Sequence, residues 1–236
     1  MTENQARPSS VFDRAFLTDV PNVTELILVR HGEQHVGEWA TSSIGTFDDP
    51  PLSDRGRQQA RLAGERLSTE KIDAVYASPL QRARDTGEAI AKHHRLEPII
   101  IDDIREVEVF RDLPKDRPAF EALGRDLLVG IRERMLTEKS WDVYPYSESS
   151  FEFRRRVVNA IEGIIAGNRD KRVVIACHGG VINAYAAHII GARFDMFFRP
   201  AHASFNIFAA GGSIRAVHSL NDIHHLQTHE GHFVSH

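Results

Sequence analysis

Two short runs of apolar, mostly branched residues each end at a histidine followed by glycine. Thr24–Val29 (TELILV) leads through Arg30 into His31-Gly32-Glu33, and Lys171–Cys177 (KRVVIAC) leads into His178-Gly179-Gly180. Runs of this length and composition suit strands buried on both faces. In open α/β sheets, ligands bind beyond the carboxyl ends of the strands. Two such ends lying side by side would bring both imidazoles into one crevice. Glycine after each histidine removes a side chain that would crowd a ligand there. By itself the pattern fits equally well with two histidines used in local turns or packing.

The rest of the chain reads as strands alternating with helices. Ile72–Ala77 is a second strand, broken by Ser78-Pro79, and Leu80–His93 reads as a helix. Pro98 precedes a short strand at Ile99–Ile101, and Ile104–Phe110 is ambiguous. Ser53 or Asp54 caps a helix carrying Ala60, Ala63 and Leu67 at helical spacing. Arg117–Met135 and Phe151–Ala166 read as helices, and Val181–Ile190 as another. Ser204–Ala209 and Ile214–Leu220, joined across Gly211-Gly212, read as a hairpin. This order predicts a three-layer α/β/α sandwich with a mostly parallel central sheet. Residues 1–22 form an N-terminal arm and 23–236 a single domain, with lid or insertion segments near 34–50 and 111–149.

The balance of 29 basic against 33 acidic residues leaves a net charge of −4, so no broad positive field invites nucleic acid. The longest apolar runs are far short of the ~20 residues a membrane span needs. The N-terminal stretch lacks the pattern of a secretory leader, and the single cysteine, Cys177, suits a reducing compartment. Cytoplasm is therefore the expected location.

Arginines strengthen the case for an anion site. Arg30 adjoins His31, and Arg82 lies at the start of the helix after Ser78-Pro79. A guanidinium binds phosphate oxygens in pairs and keeps its charge. A cation in the first turn of a helix gains nothing from the dipole, so an anion explains Arg82 better. Glu106 is a candidate proton donor, with Asp103 and Glu108 as rivals. The tail holds His224, His225, His229 and His232, but not in the order of a zinc hydrolase helix; an adventitious metal-binding or solvated tail is preferred over a native site, and no metal or cofactor is expected. The phosphate-binding loop, dinucleotide fingerprint and nucleophile-elbow patterns are absent. Cys177 ends a buried strand and reads as core.

Several segments, in order, resemble the motifs of the histidine phosphatase superfamily, the phosphoglycerate mutase-like family. They are Arg30-His31-Gly32-Glu33, the Leu52–Ala60 stretch of form LS-x-x-G-x-x-Q-A, and the Ser78–Thr86 stretch of form SPL-x-RA-x-x-T. Ile104-Arg105-Glu106, Ala176–Gly180 and Asn221-Asp222 with His225-Leu226 complete the set, so the resemblance spans about Glu25 to Leu226. It implies that His31 is a nucleophile becoming phosphohistidine, that Arg30, Arg82 and His178 clamp the phosphoryl oxygens, and that Glu106 protonates the leaving group. Gly32's carbonyl is a candidate for fixing the His31 tautomer.

Two departures stand out. Many members have an asparagine shortly after the first motif; here the stretch is Gln34–Glu38, and His35, Thr41, Ser42 and Ser43 are candidate substitutes. Where relatives often have asparagine before the late strand, this chain has His202-Ala203-Ser204. His202 is then expected to face the phosphate, and the Ala203 N–H to bind an oxygen. The segment after Glu106 lacks the pattern of the mutases, which favours transfer to water. Phosphomonoester hydrolysis of a small phosphorylated metabolite is the leading expectation. Mutase-like transfer and a non-catalytic phosphate-binding or regulatory role are the alternatives, and a homodimer is left open. Arg111, Lys115 and Arg117 read as a solvated face or as recognition of an acidic substrate. Phe47, Trp141, Tyr144 and Tyr146 read as a satellite core or as a pocket mouth.

Overall fold

The computed structural model describes residues 9–35, 37, 42–228 and 231–236. Its strands are β1 (Thr24–Arg30), β2 (Ala74–Ala77), β3 (Ile99–Ile100), β4 (Arg172–Cys177), β5 (Phe205–Gly211), β6 (Ile214–Asp222), β7 (Gln227–Thr228) and β8 (Gly231–His232). Its helices are α1 (Val11–Phe16), α2 (Asp54–Leu67), α3 (Gln81–Ala91), α4 (Ala119–Leu123), α5 (Arg125–Glu138), α6 (Ser150–Gly167) and α7 (Gly179–Ile190). The first six strands form one sheet in the order β3-β2-β4-β1-β5-β6. β1 to β4 run parallel, and β5 pairs antiparallel with both neighbours. β7 and β8 form a separate hairpin. The α/β/α reading with a mostly parallel sheet therefore holds.

Alternation along β1 explains the two helical layers. Leu26 and Leu28 join Val173, Ile175 and Cys177 of β4 in a core with Phe153, Val157 and Ile161 of α6 and Tyr185 of α7. Ile27 and Val29 point the other way, into a core with Leu62, Ala63 and Leu67 of α2 and Ile90 of α3. Successive side chains of a strand face opposite ways, so a central strand must be apolar at every position.

Several boundaries differ from expectation. The Arg117–Met135 helix is two helices, because Gly124 between α4 and α5 has φ +78° and ψ 159°, a conformation nearly restricted to glycine. Leu80–His93 is α3 followed by a 3₁₀ turn, Lys92–His94. The ambiguous 104–110 stretch follows a 3₁₀ turn, Asp102–Ile104, and is otherwise irregular. In residues 9–22 the capping box of Ser10 and Asp13 starts α1, and Leu17 is buried against Ala209 and Ala216. The 111–149 segment supplies Ala119, Ile131 and Val143 to a small separate core that also takes in Ile44 and Phe110, against which Tyr144 packs.

The first turn of α2 lies directly against the chain leaving β1. Ser53 caps it by accepting from the Gly56 N–H. A Cβ on Gly56 would lie 1.9 Å from the Glu33 carbonyl oxygen. Gly56→Ala is therefore expected to cost about 1–3 kcal/mol in urea unfolding, the usual range for overpacking. Gly163→Ala, at an open, exposed position of α6, is expected to add up to about 1 kcal/mol through helix propensity.

Candidate active site

β1 and β4 lie side by side in the middle of the sheet, with Arg30 opposite Cys177. The next residue on each strand is a histidine, so the two rings meet: His31 and His178 have centroids 5.1 Å apart. The His31 N–H donates to the Cys177 carbonyl at 2.9 Å, which extends the pairing to the nucleophile candidate itself. Beyond these strand ends opens a cavity of about 910 Å³.

Arg30, His31, Arg82, Glu106 and His202 line this cavity. His178 does not; it is fully buried beside His31. The Nδ1 of His31 lies 2.7 Å from the Gly32 carbonyl. A carbonyl only accepts, so Nδ1 carries the proton and Nε2 keeps its lone pair. Burial, then the positive fields of Arg82, His178, Arg30 and His202, hold the His31 pKa well below the ordinary histidine value. Burial and the Arg82 and Arg30 charges do the same to His178. His178 Nε2 contacts Ser78 Oγ at 2.8 Å, while its Nδ1 is buried with no partner among the described residues.

Both arginines are anchored by main-chain carbonyls, and Arg82 also by a carboxylate. Arg30 Nη1 donates to the Pro200 carbonyl at 2.5 Å, and burial pushes its pKa down to about 10, opposed by Glu106. Arg82 Nη1 donates to the Asp48 carbonyl at 3.4 Å and lies 3.7 Å from an Asp49 oxygen. Burial lowers its pKa as well, with Glu106 and Asp49 opposing. The Nε atoms of both arginines are buried with no hydrogen-bond partner among the described residues. Unsatisfied buried donors of this kind are costly and call for an acceptor. Two guanidinium groups beside a neutral imidazole form a site for a compact oxyanion.

Glu106 reaches the same place from the irregular segment. Its Oε2 accepts from the Gly180 N–H and its Oε1 from the Val107 N–H, each at 3.1 Å. A Cβ on Gly180 would stand 2.3 Å from Oε1, so the second glycine after His178 is what admits the carboxylate. Of its rivals, Glu108 lines the cavity but pairs with Arg105, and Asp103 does not line it.

His202 lies 5.6 Å from the His31 ring, and its Nδ1 contacts Ser235 Oγ at 3.0 Å. Burial, with Arg30 and Arg199, lowers its pKa to about 3. The expectation for Ala203 needs correction. Its N–H donates to the carbonyls of Arg30 and His31, at 3.0 and 3.2 Å, and so ties down the end of β1 instead of facing a ligand. Of the substitutes for asparagine, His35 lines the cavity; Ser42 and Ser43 do not, and Thr41 lies outside the described residues. Lys115 and Arg111 line the mouth, each beside an aspartate, whereas Arg117 does not line it. Phe47 and Trp141 line the wall; Tyr144 packs in the satellite core and Tyr146 is exposed.

The tail histidines divide. His225 stacks on Phe205 at 4.2 Å and contacts the Ala203 carbonyl at 3.0 Å, a structural role. His229 lies outside the described residues, and among those described no group of residues is arranged to hold a metal ion. Sequence reasoning missed Arg199 and His236, which line the cavity, and it missed the link that Gln59, the glutamine of the Leu52–Ala60 motif, makes between the first motif and the tail. Gln59 Oε1 accepts from the Glu33 N–H at 2.7 Å, and its Nε2 donates to the Phe233 carbonyl at 2.5 Å. No spacing signal links residues so far apart in the chain.

Comparison with known proteins accords with this geometry. A model of the histidine phosphatase superfamily (branch 1) matches residues 26–223. Phosphoglycerate mutase-like protein 4 of Arabidopsis thaliana is 34% identical over 171 residues, 68% of each chain. Phosphoserine phosphatase 1 of Hydrogenobacter thermophilus is 28% identical over 225 residues, 86% of this chain and 95% of that one. Among solved structures, YhfR of Bacillus stearothermophilus superimposes with a TM-score of 0.70 at 24% identity, covering 86% of this chain and 100% of that one. A mycobacterial glucosyl-3-phosphoglycerate phosphatase gives 0.69 at 19% identity, covering 85% and 100%. From the strand-end histidines to the closing strands, this chain belongs to the histidine phosphatase superfamily, branch 1.

Proposed function

We propose that the protein hydrolyses a small phosphorylated metabolite through a phosphohistidine at His31. The observation that carries this reading is the His31 Nδ1 contact with the Gly32 carbonyl, which leaves a neutral Nε2 lone pair among the cations of Arg30 and Arg82. Nε2 attacks phosphorus, the ester P–O bond breaks, and Glu106 in its acid form gives its proton to the departing oxygen. Glu106 as carboxylate then takes a proton from water, whose oxygen attacks phosphorus and breaks the N–P bond. Orthophosphate leaves and His31 is restored. Splitting one displacement into two is the advantage of a covalent intermediate. Arg30, Arg82 and His202 stabilise charge on the transferring oxygens, and His178 backs the nucleophile. Each step is complete without a metal ion. Relatives named as phosphatases support hydrolysis. Water is favoured over a second substrate because the segment after Glu106 lacks the mutase pattern.

Rapid quenching with a radiolabelled aryl phosphate tests the reading. The expected product is an acid-labile, base-stable phosphoenzyme that disappears in His31→Ala, together with about 10³-fold or more of the hydrolysis. Release of no phosphate from a broad monoester panel would overturn it.

The depressed histidines also set a pH dependence. His31, His178, His202 and His225 have native pKa values below the unfolded value near 6.5. Between those native values and 6.5 the unfolded chain binds more protons, so stability falls as pH drops below about 6.5. Each such group contributes up to about 1.4 kcal/mol per pH unit in that window. Urea unfolding at pH 7 and pH 5 is expected to show the loss, and His225→Phe to make it shallower.

A further inference from the structure

Glu106 stands in neither helix nor strand, yet a proton donor must reach the leaving oxygen within hydrogen-bond distance. Something rigid has to hold the backbone that carries it. We propose that Arg156 of α6 is the positioning residue for Glu106, and that Glu148 locks Arg156 in place. The proposal rests on the reading of Glu106 as the proton donor.

The guanidinium of Arg156 uses all five of its N–H groups. Nη1 donates to the carbonyls of Asp103 and Arg105, at 2.7 and 2.8 Å, and Nη2 donates to the Glu106 carbonyl at 3.1 Å. The remaining two, on Nε and Nη2, donate to the two oxygens of Glu148 at 2.6 and 2.7 Å. Three carbonyls of the Asp102–Ile104 turn and the irregular stretch after it thus converge on a single planar cation. A flexible ammonium could not hold all of them in one plane. Arg156 makes no hydrogen bond to the Glu106 carboxylate; it fixes the main chain from which that carboxylate projects.

Glu148 closes the arrangement from the other side. It is buried, its N–H donates to the Glu108 carbonyl at 3.1 Å, and its Oε2 accepts from the Glu108 N–H at 3.4 Å. The acid's segment is therefore pinned on both flanks of Glu106. Phe153, one turn before Arg156 on α6, connects the two ends of the site. The Arg156 guanidinium lies 4.8 Å from its ring centre, and the same ring stands 3.2 Å from where a Cβ on Gly180 would lie. Gly180 in turn donates to Glu106 Oε2. A shift of Arg156 would displace the main-chain support of Glu106, while the phosphate-facing arginines, on β1 and α3, have separate anchors.

The distinguishing readout is dependence on the leaving group. An aryl phosphate departs with little need of a proton, whereas an alkyl phosphate needs one. kcat/KM reports only the steps through departure of the alcohol or phenol. Wild type, Glu106→Gln, Arg156→Gln, Arg156→Lys and Glu148→Gln are compared on p-nitrophenyl phosphate and on glycerol phosphate. Competition by orthophosphate and thermal melting report an intact pocket and fold. Arg156→Gln and Glu148→Gln are expected to lose about tenfold or more on the alkyl ester and under about threefold on the aryl ester, with Arg156→Lys between them and wild type. Folded variants that slow both esters alike, or neither, while Glu106→Gln remains selective, overturn the proposal. Absence of selectivity in Glu106→Gln would instead overturn the acid role. Since removing one member of a buried ion pair leaves the other charge alone, Arg156→Lys and Glu148→Gln decide the matter if Arg156→Gln does not fold.

Discussion

The parallel pairing of β1 with β4, in the register that sets Arg30 beside Cys177, is the constraint on which the site depends. It places two histidines at adjacent strand ends, one residue beyond the last paired positions. The pairing is secured because both strands are apolar on both faces. Leu26 and Leu28 face one helical layer while Ile27 and Val29 face the other. A slip of one residue would exchange those sets, and it would also separate His31 from His178.

Around this pair the chain arranges support in two kinds. Backbone contacts fix His31: the Cys177 carbonyl takes its N–H, the Gly32 carbonyl takes Nδ1–H, and the Ala203 N–H ties the strand end from the opposite side. Side chains drawn from distant parts of the sequence fix the rest. Arg156 and Glu148 hold the segment bearing Glu106, and Gln59 joins the Glu33 N–H to the tail near His202. The cost of crowding cations and unpartnered donors into one buried place is a feature expected of sites organised for a ligand and not for stability alone.

Some of this was legible in the sequence. The strands, their order of alternation with helices and the strand-end histidines follow from hydrophobic pattern, because a buried parallel strand leaves no alternative to continuous apolar residues. Arg30, Arg82 and Glu106 were legible as members of short, ordered motifs. Gly124 was not. A glycine inside a helical pattern is ordinarily tolerated, and only the observed φ of +78° shows that it divides α4 from α5. Ala203 was misjudged for a related reason, since a backbone N–H carries no mark in sequence of what it will donate to.

Composition and pattern by themselves determined the layered α/β architecture, the slightly negative net charge and the identities of the residues at the strand ends. These properties depend on local periodicity and on counts of charge. Tertiary structure alone decided that Arg199 and His236 line the cavity, that His178 stays behind its wall, and that Arg156 grips the carbonyls of Asp103, Arg105 and Glu106. Such contacts join residues tens to hundreds of positions apart. They are set by how the layers pack, and no local signal in the chain encodes them.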